Sequence, residues 1–272
     1  MPIITLTSDW GDKDSYTGAV KGAILGKLPG VTIVDITHQV PAFDIEQAAF
    51  ILRNAWSSYP EGTVHIVAVN AEESIREPHT AVLYSGHYFI AADNGIFSLI
   101  FDHKPEKIVV IDIIQDTGYF TFPARDRFVE AAVRLAGGDP IESLGEPKGS
   151  YNEKFLFEPV VTHNHIRGIV VYVDAYENAI TNIRESLFRE HARGRKYQIL
   201  FRTYAINKIS RSYADVNEGD PVALFGTHGY LEIAINKGNA SSLLGLYNKE
   251  SVVIEFATRM QGKGGKPAKR TS

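Results

Sequence analysis

The sequence predicts an α/β N-terminal domain with a mainly parallel sheet, followed by a C-terminal all-β, barrel-like domain. Three observations carry that expectation. In the first half, short β-branched runs alternate with stretches of helical periodicity, as in strand–helix–strand units. Around 137–155, "GGDPIESLGEPKGSYNEKF" breaks the pattern with Gly, Pro and charge, the composition of a linker. Beyond it, apolar runs separated by turn residues recur at short intervals, as in a small barrel or sandwich. The expected boundaries are 1–140 for the α/β domain, 141–160 for the linker, 161–258 for the β domain and 259–272 for a disordered tail.

The elements follow in order. "IITLT" (3–7) is apolar and β-branched, bounded by Pro2 and Ser8–Asp9, and predicts a short buried strand. Residues 15–27 carry Val20 and Ile24 at helical spacing and stop near "LPG". "VTIVDIT" (31–37) predicts a second strand. Asp44 then reads as an N-cap or first-turn acid for a helix reaching Trp56, with Ile45, Ala48, Ala49, Leu52 and Trp56 as its stripe. "TVHIVAV" (63–69) predicts a third strand, and "TAVLYS" and "HYFIAA" a hairpin meeting at Gly86. A short helix after "DNG", the strand "KIVVIDI" and an amphipathic helix over 126–138 complete the first half. The second half reads as strands: "RGIVVYVDAY", "AITNI", "KYQILFRT", "PVALFG", "YLEIAIN" and "VVIEF", with one short helix near 239–244.

Composition narrows the function classes. The 272 residues are 44% hydrophobic and 22% charged, with a net charge of −4, which argues against a nucleic-acid binder. The absence of cysteine excludes disulfides, thiolate catalysis and cysteine-ligated metals. No basic, apolar leader pattern and no membrane-length apolar stretch is present, so the expected location is the cytoplasm.

The densest chemistry lies in "SDWGDKDSYTGAVKG" (8–22), where Asp9, Asp12 and Asp14 follow the first strand. In open α/β sheets, ligands bind beyond the carboxyl ends of strands. A carboxylate there suits a pair of donors, such as a sugar diol or an ammonium group. Capping of the following helix explains the same residues equally well. Trp10, Tyr16, Phe43 and Tyr176 are flat rings able to stack on a nucleobase, although each is individually a common core residue. "AADNG" (91–95) reads first as an Asx turn, and "VDAYENAITNI" (173–183) first as hairpin chemistry. His163 and His165 alternate on a possible strand and admit a metal, but no acidic partner stands at ligand spacing; a metal-free pair is the better reading. His65 reads as a hydrogen-bonded core histidine.

Taken in order, "SDWGDKDSYTGAVKG", "VTIVDITHQVPAFDIEQAAF", "ADNG", "TFPARDRF", "VDAYENAITNI" and "GYLEIAINKGNASSLLG" resemble the S-adenosylmethionine hydroxide adenosyltransferases and the related fluorinases and chlorinases. The resemblance spans both domains. It implies a homotrimer with S-adenosylmethionine between the N-terminal domain of one subunit and the C-terminal domain of the next. Water or halide would attack the ribose 5′ carbon, with methionine leaving and no metal or organic cofactor. It implies Asp9 on the ribose hydroxyls, Asp14 and Asp174 on the methionine ammonium, and Phe43 as a wall beside the ribose. Asn178 would read the adenine, and Thr227 and His228 would hold the methionine carboxylate. Asp12 is left as a solvent-facing cap.

The chain also departs from that pattern. Where the family has Val-Asp-Pro-Gly-Val-Gly followed by arginine, this chain has "VNAEESIRE": Asn70 stands at the aspartate position, and Arg76 matches the arginine only across a gap. Where the family has Thr-Phe-His-Gly-Arg-Asp, this chain has "TFPARD": Pro123 stands at the histidine position and Ala124 at the glycine. Glu177 stands where glycine is usual. Asn70 takes no proton and Pro123 offers no side-chain donor or acceptor. Two expectations follow. The protein cleaves S-adenosylmethionine with an altered water-positioning set, or it binds the nucleoside without hydrolysing it. Glu72 and Glu73, on the same loop, are candidates to replace the lost carboxylate, although solvated loop acids are the better reading of both. A halide-using variant ranks below both.

Overall fold

In the computed structural model, which describes residues 1–115, 118–155 and 157–257, the first unit runs from Met1 to Leu156 and the second from Phe157 to Ser272. The first contains, in chain order, β1 (Ile3–Ser8), α1 (Tyr16–Lys27), β2 (Thr32–Thr37), α2 (Ile45–Arg53), β3 (Val64–Ala68), β4 (His79–Tyr84) and β5 (His87–Ala92). There follow α3 (Ile96–Ile100), β6 (Lys107–Ile111), α4 (Val129–Ala136) and β7 (Gly145–Pro147). The sheet order is β2-β1-β3-β5-β4-β6-β7.

Helices cover both faces of this sheet. α1 and α4, with Phe128 just before α4, pack Val20, Ile24, Phe128, Ala132 and Leu135 against Ile4, Leu6 and Ile66. α2 and α3 pack Ala48, Leu52, Phe97 and Ile100 against Val67 and Phe89. Strands buried on both faces read as continuous apolar runs instead of alternating ones, and every residue of β3 is buried. The pairings β1–β2, β1–β3 and β3–β5 are parallel, while β4–β5, β4–β6 and β6–β7 are antiparallel. The expected mainly parallel sheet is thus corrected to a mixed one. The cause is local: Ser85 and Gly86, at φ 50° and 77°, form a two-residue turn that can only fold β4 back antiparallel to β5.

Asp44 caps α2 as predicted, accepting from the backbone N–H groups of Glu46 (3.1 Å) and Gln47 (3.0 Å). The helix stops at Arg53, and Trp56 lies in a separate 3₁₀ turn. Residues 137–155, which read as linker, contribute β7 and the buried Ile141 and Leu144 to this unit.

The second unit is β-rich: β8 (Val160–Val161), β9 (His165–Val173), β10 (Ala179–Arg184), β11 (Tyr197–Phe201), β12 (Tyr204–Ile206), β13 (Ile209–Ser210), β14 (Pro221–Phe225), β15 (Tyr230–Ile235) and β16 (Ser251–Phe256). The sheet path is β12-β11-β16-β9-β10-β15-β14-β13, with β8 paired to β9. Two helices interrupt it, α5 (Glu185–Ala192) and α6 (Ala240–Leu244). The sequence predicts α6, near 239–244, but not α5. α5 buries Phe188 and Ala192, four residues apart, and Arg189 pairs with Glu185 at the same spacing. Among the described residues, no helix is long and apolar enough to cross a membrane. The expected tail, 259–272, lies outside the described residues.

Candidate functional site

In the first unit the site residues gather at the carboxyl end of β1. Ser8 pairs with Ala68, so the loops after β1 and β3 leave the sheet side by side. Gly11 turns the chain at φ 66°, a left-handed conformation that glycine adopts without strain, and its N–H donates to the His38 carbonyl at 2.7 Å. Asp9 accepts at Oδ2 from the Phe43 backbone N–H at 2.9 Å, leaving Oδ1 for another donor. Phe43 itself sits at φ 67° and is 73% exposed. None of the three aspartates caps α1: its N-cap is Ser15, which makes no capping bond, and its first turn has no acid. The capping explanation, including that for Asp12, is therefore corrected; Asp12 accepts from Gln39 Nε2 instead. Asp14 is exposed at the loop's end. Trp10, Tyr16 and Phe122 pack as a ring cluster, with centroids 5.5 Å apart for Trp10–Phe122 and 5.2 Å for Tyr16–Phe122. Phe122 lies far along the chain from Trp10 and Tyr16, so no local spacing marks it as their partner.

Beyond β3, Asn70 adopts φ 48°, tolerable for asparagine, and its carbonyl accepts from Asn94 Nδ2 at 3.0 Å. Arg76 is exposed; its carbonyl accepts from Asn152 Nδ2. Glu73 is ion-paired with Arg127, which also donates to the Ile111 carbonyl, while Glu72 is exposed. Glu73 also lies 4.0 Å from Nδ1 of the buried His79. Burial pushes His79 below the ordinary histidine pKa, outweighing its bond to the Ala71 carbonyl and the Glu73 charge. Pro123 heads a π-helical turn over Ala124–Phe128, and the Ala124 methyl is packed away in the core. Asp93 of "ADNG" is fully buried and accepts from Lys148 Nζ (2.5 Å) and the Asn152 N–H (2.9 Å).

The second unit presents a cleft of about 750 Å³ lined by Asp174, Tyr176, Asn178, Tyr213, Asn236 and Asn239. The Asp174 carboxylate accepts from the N–H groups of Tyr176 (2.9 Å) and Asn178 (2.8 Å) and from Asn178 Nδ2 (3.0 Å). It is therefore a turn former and a cleft wall at once. Glu177 holds the left-handed φ of 61° that glycine would favour. Its carboxylate accepts from the Ser242 hydroxyl and N–H and from Asn239 Nδ2, which together hold it below the ordinary range against a small burial effect.

On the 226–229 loop, Thr227 is exposed. His228 Nδ1 accepts from the Tyr230 N–H at 3.1 Å, so Nε2 carries the proton that faces Glu232 Oε2 at 3.2 Å. A Cβ at Gly226 would fall 2.4 Å from that Nε2, which explains the glycine. Glu232 is 3% exposed and also accepts from the Tyr213 hydroxyl at 2.6 Å. Burial first, then that bond, pushes the phenol pKa up. Tyr213 and Glu232 thus link His228 to the cleft, a connection between residues 19 positions apart that no local spacing reveals. Among the described residues, no group of three or more His, Asp or Glu side chains could hold a metal; His165 bonds to Thr162. His65 is a fully buried core histidine bonded to Thr5 at 2.7 Å.

Comparison with known proteins agrees in both halves. The model of the SAM hydroxide adenosyltransferase N-terminal domain matches residues 4–145, and that of the C-terminal domain matches 168–253. An (R)-S-adenosyl-L-methionine hydrolase from Thermus thermophilus is 31% identical over 264 residues, covering 92% of this chain and 97% of its own. A hydrolase of the same name from Methanocaldococcus jannaschii is 28% identical, covering 94% and 97%, and a fluorinase from an Actinoplanes species is 24% identical, covering 95% and 98%. The crystal structure of an uncharacterized conserved protein from Thermotoga maritima superposes with a TM-score of 0.84 at 28% identity, covering 93% of this chain and 99% of that one. With both domain models matched in order, and a relative above 30% identity along nearly its whole length, this chain is a member of the SAM hydroxide adenosyltransferase family.

Proposed function

We propose that the protein binds S-adenosylmethionine and cleaves it by attack of water at the ribose 5′ carbon, giving adenosine, methionine and a proton. The observation that carries this reading is the near full-length likeness to proteins named (R)-S-adenosyl-L-methionine hydrolase. In this reading Asp9 accepts the ribose hydroxyls and Phe43 walls the sugar. Asp14 and Asp174 take the ammonium, and Asn178 reads the adenine. Because the Nε2 proton of His228 faces Glu232, the substrate carboxylate relies on Thr227 and the loop's backbone N–H groups. The site forms between one subunit's α/β unit and the next subunit's barrel-like unit, in a homotrimer.

The chemistry is undemanding in one respect. A sulfonium is cationic and leaves as a neutral thioether, so an oriented water suffices and no metal or organic cofactor enters the step. Orientation and removal of competing water supply the acceleration. Neither Asn70 nor Pro123 can take the water's proton, and Glu73 is committed to Arg127. The proton passes to solvent or to exposed Glu72, and Arg76 is the remaining cation of the expected set. Those same two substitutions favour a second reading, a binding protein that holds the nucleoside without hydrolysis. Incubating the purified protein with S-adenosylmethionine and separating the products by chromatography decides between them. Equimolar adenosine and methionine are expected; tight binding without either product would leave the second reading. Adding fluoride, chloride or bromide tests halide attack in the same assay.

A further inference from the structure

We propose that Asp35, His38 and Ser8 form a positioning relay that holds the Asp9 carboxylate where it meets its ligand's diol. The inference rests on the reading of Asp9 given above and goes beyond it. Ser8, the last residue of β1, is 1% exposed, and its Oγ lies 2.6 Å from His38 Nδ1. The opposite ring nitrogen, Nε2, is enclosed and has Asp35 Oδ1 beside it at 3.1 Å, off the direction of an aligned hydrogen bond. Asp35 is held in turn by Lys21 Nζ of α1 at 2.5 Å. Although serine, histidine and aspartate are in contact, Ser8 is sealed in the sheet and is no nucleophile.

What the group does instead follows from who touches His38. Its ring meets Ser8, its carbonyl accepts from Gly11 N–H, and its face lies flat against Trp10, 6.2 Å between centroids at 11°. Residues 8, 10 and 11 surround Asp9, so one histidine fixes the chain on both sides of that carboxylate. Five residues on, Phe43 supplies the N–H that Asp9 accepts. The β1–β2 register slips between Leu6↔Asp35 and Thr7↔Thr37, an extra residue on β2 at the strand end. Irregularities of that kind re-aim side chains beside functional sites. In catalysis a misplacement of about 1 Å costs on the order of 100-fold in rate, so a buried anchor beside an exposed acid has a clear use.

The test compares adenosine with 2′,3′-dideoxyadenosine, which lacks the diol, by calorimetric titration of the full chain. His38→Phe keeps a flat ring against Trp10 and removes both nitrogens; Asp35→Asn changes an exposed residue and leaves the core intact. Adenosine affinity is expected to fall about tenfold in His38→Phe and about threefold in Asp35→Asn, with dideoxyadenosine affinity unchanged. Adding His38→Phe to Asp9→Ala should cost nothing further. Equal losses for both nucleosides, or none, while Asp9→Ala still abolishes the preference for the diol, overturn the relay and leave the Asp9 reading standing. If Asp9→Ala leaves that preference intact, or the unaltered protein has none, the Asp9 reading fails and the relay with it. Should His38→Phe not fold, Asp35→Asn and Ser8→Ala carry the same comparison.

Discussion

Asp9 and Glu177 show how far one side chain's chemistry depends on its backbone. Asp9 already accepts one backbone hydrogen bond, which fixes its plane and keeps Oδ1 available. Charge-assisted bonds to a diol are worth about 1.5–3 kcal/mol in all, or roughly 10–100-fold in affinity. Asp9→Ala should weaken adenosine binding by that factor in calorimetry. Glu177 sits in a left-handed conformation yet anchors Asn239 and Ser242 at the start of α6. Two effects therefore oppose each other on substitution. Glu177→Ala loses the anchor and keeps the backbone strain, so it should lower the thermal midpoint; Glu177→Gly loses the anchor but relieves the strain, and should lower it less. The departure from glycine is thus structural, something a list of expected motif residues could not convey. Asp9 was legible because it ends an obvious strand. His38 as its anchor was not, because Ser8 and His38 are 30 residues apart and meet only when β1 and β2 pair.

The same division between local and distant signals holds for whole elements. The cap at Asp44, the hairpin at Ser85–Gly86 and the burial of β3 are written within a few residues each. α5 is hard to see in the sequence although its four-residue spacings are present, since eight amphipathic residues among strands are outvoted by their neighbours. The stretch 145–155 looked like linker because its polar residues have distant partners: Lys148 and Asn152 both bind the buried Asp93. Removing one member of such a pair strands the other's charge, at a cost of about 3–5 kcal/mol. Asp93 is fully enclosed whereas the Lys148 side chain is 28% exposed and can rehydrate. Lys148→Met should accordingly destabilise more than Asp93→Asn in urea unfolding, with Lys148→Met falling in that range.

For the molecule as a whole, acid is the predicted weakness. Burial, and next the neighbouring His87, push His65 down to about 3 from the ordinary 6.5. His79 and His87 are also shifted below the ordinary value, burial being the main cause in each. Each of these groups binds its proton more weakly in the folded chain than in the unfolded one, so their stabilising effect is complete above pH 6.5 and shrinks as the pH falls below it. For His65 the loss continues towards pH 3, at up to about 1.4 kcal/mol per pH unit. Urea midpoints should therefore drop between pH 7 and pH 5, and replacing the buried pair by Thr5→Val with His65→Phe should flatten that slope. An unchanged slope would mean that His65 binds its proton equally well in the folded and unfolded chain. Function at this scale reduces to one bond, between the substrate's sulfur and its 5′ carbon. A single turnover of S-adenosylmethionine in heavy-oxygen water, read by mass spectrometry, tests that most directly. Adenosine should carry the heavy oxygen on its 5′ carbon beside unlabelled methionine; unlabelled adenosine, or substrate recovered whole from a saturated protein, would contradict water attack at that carbon.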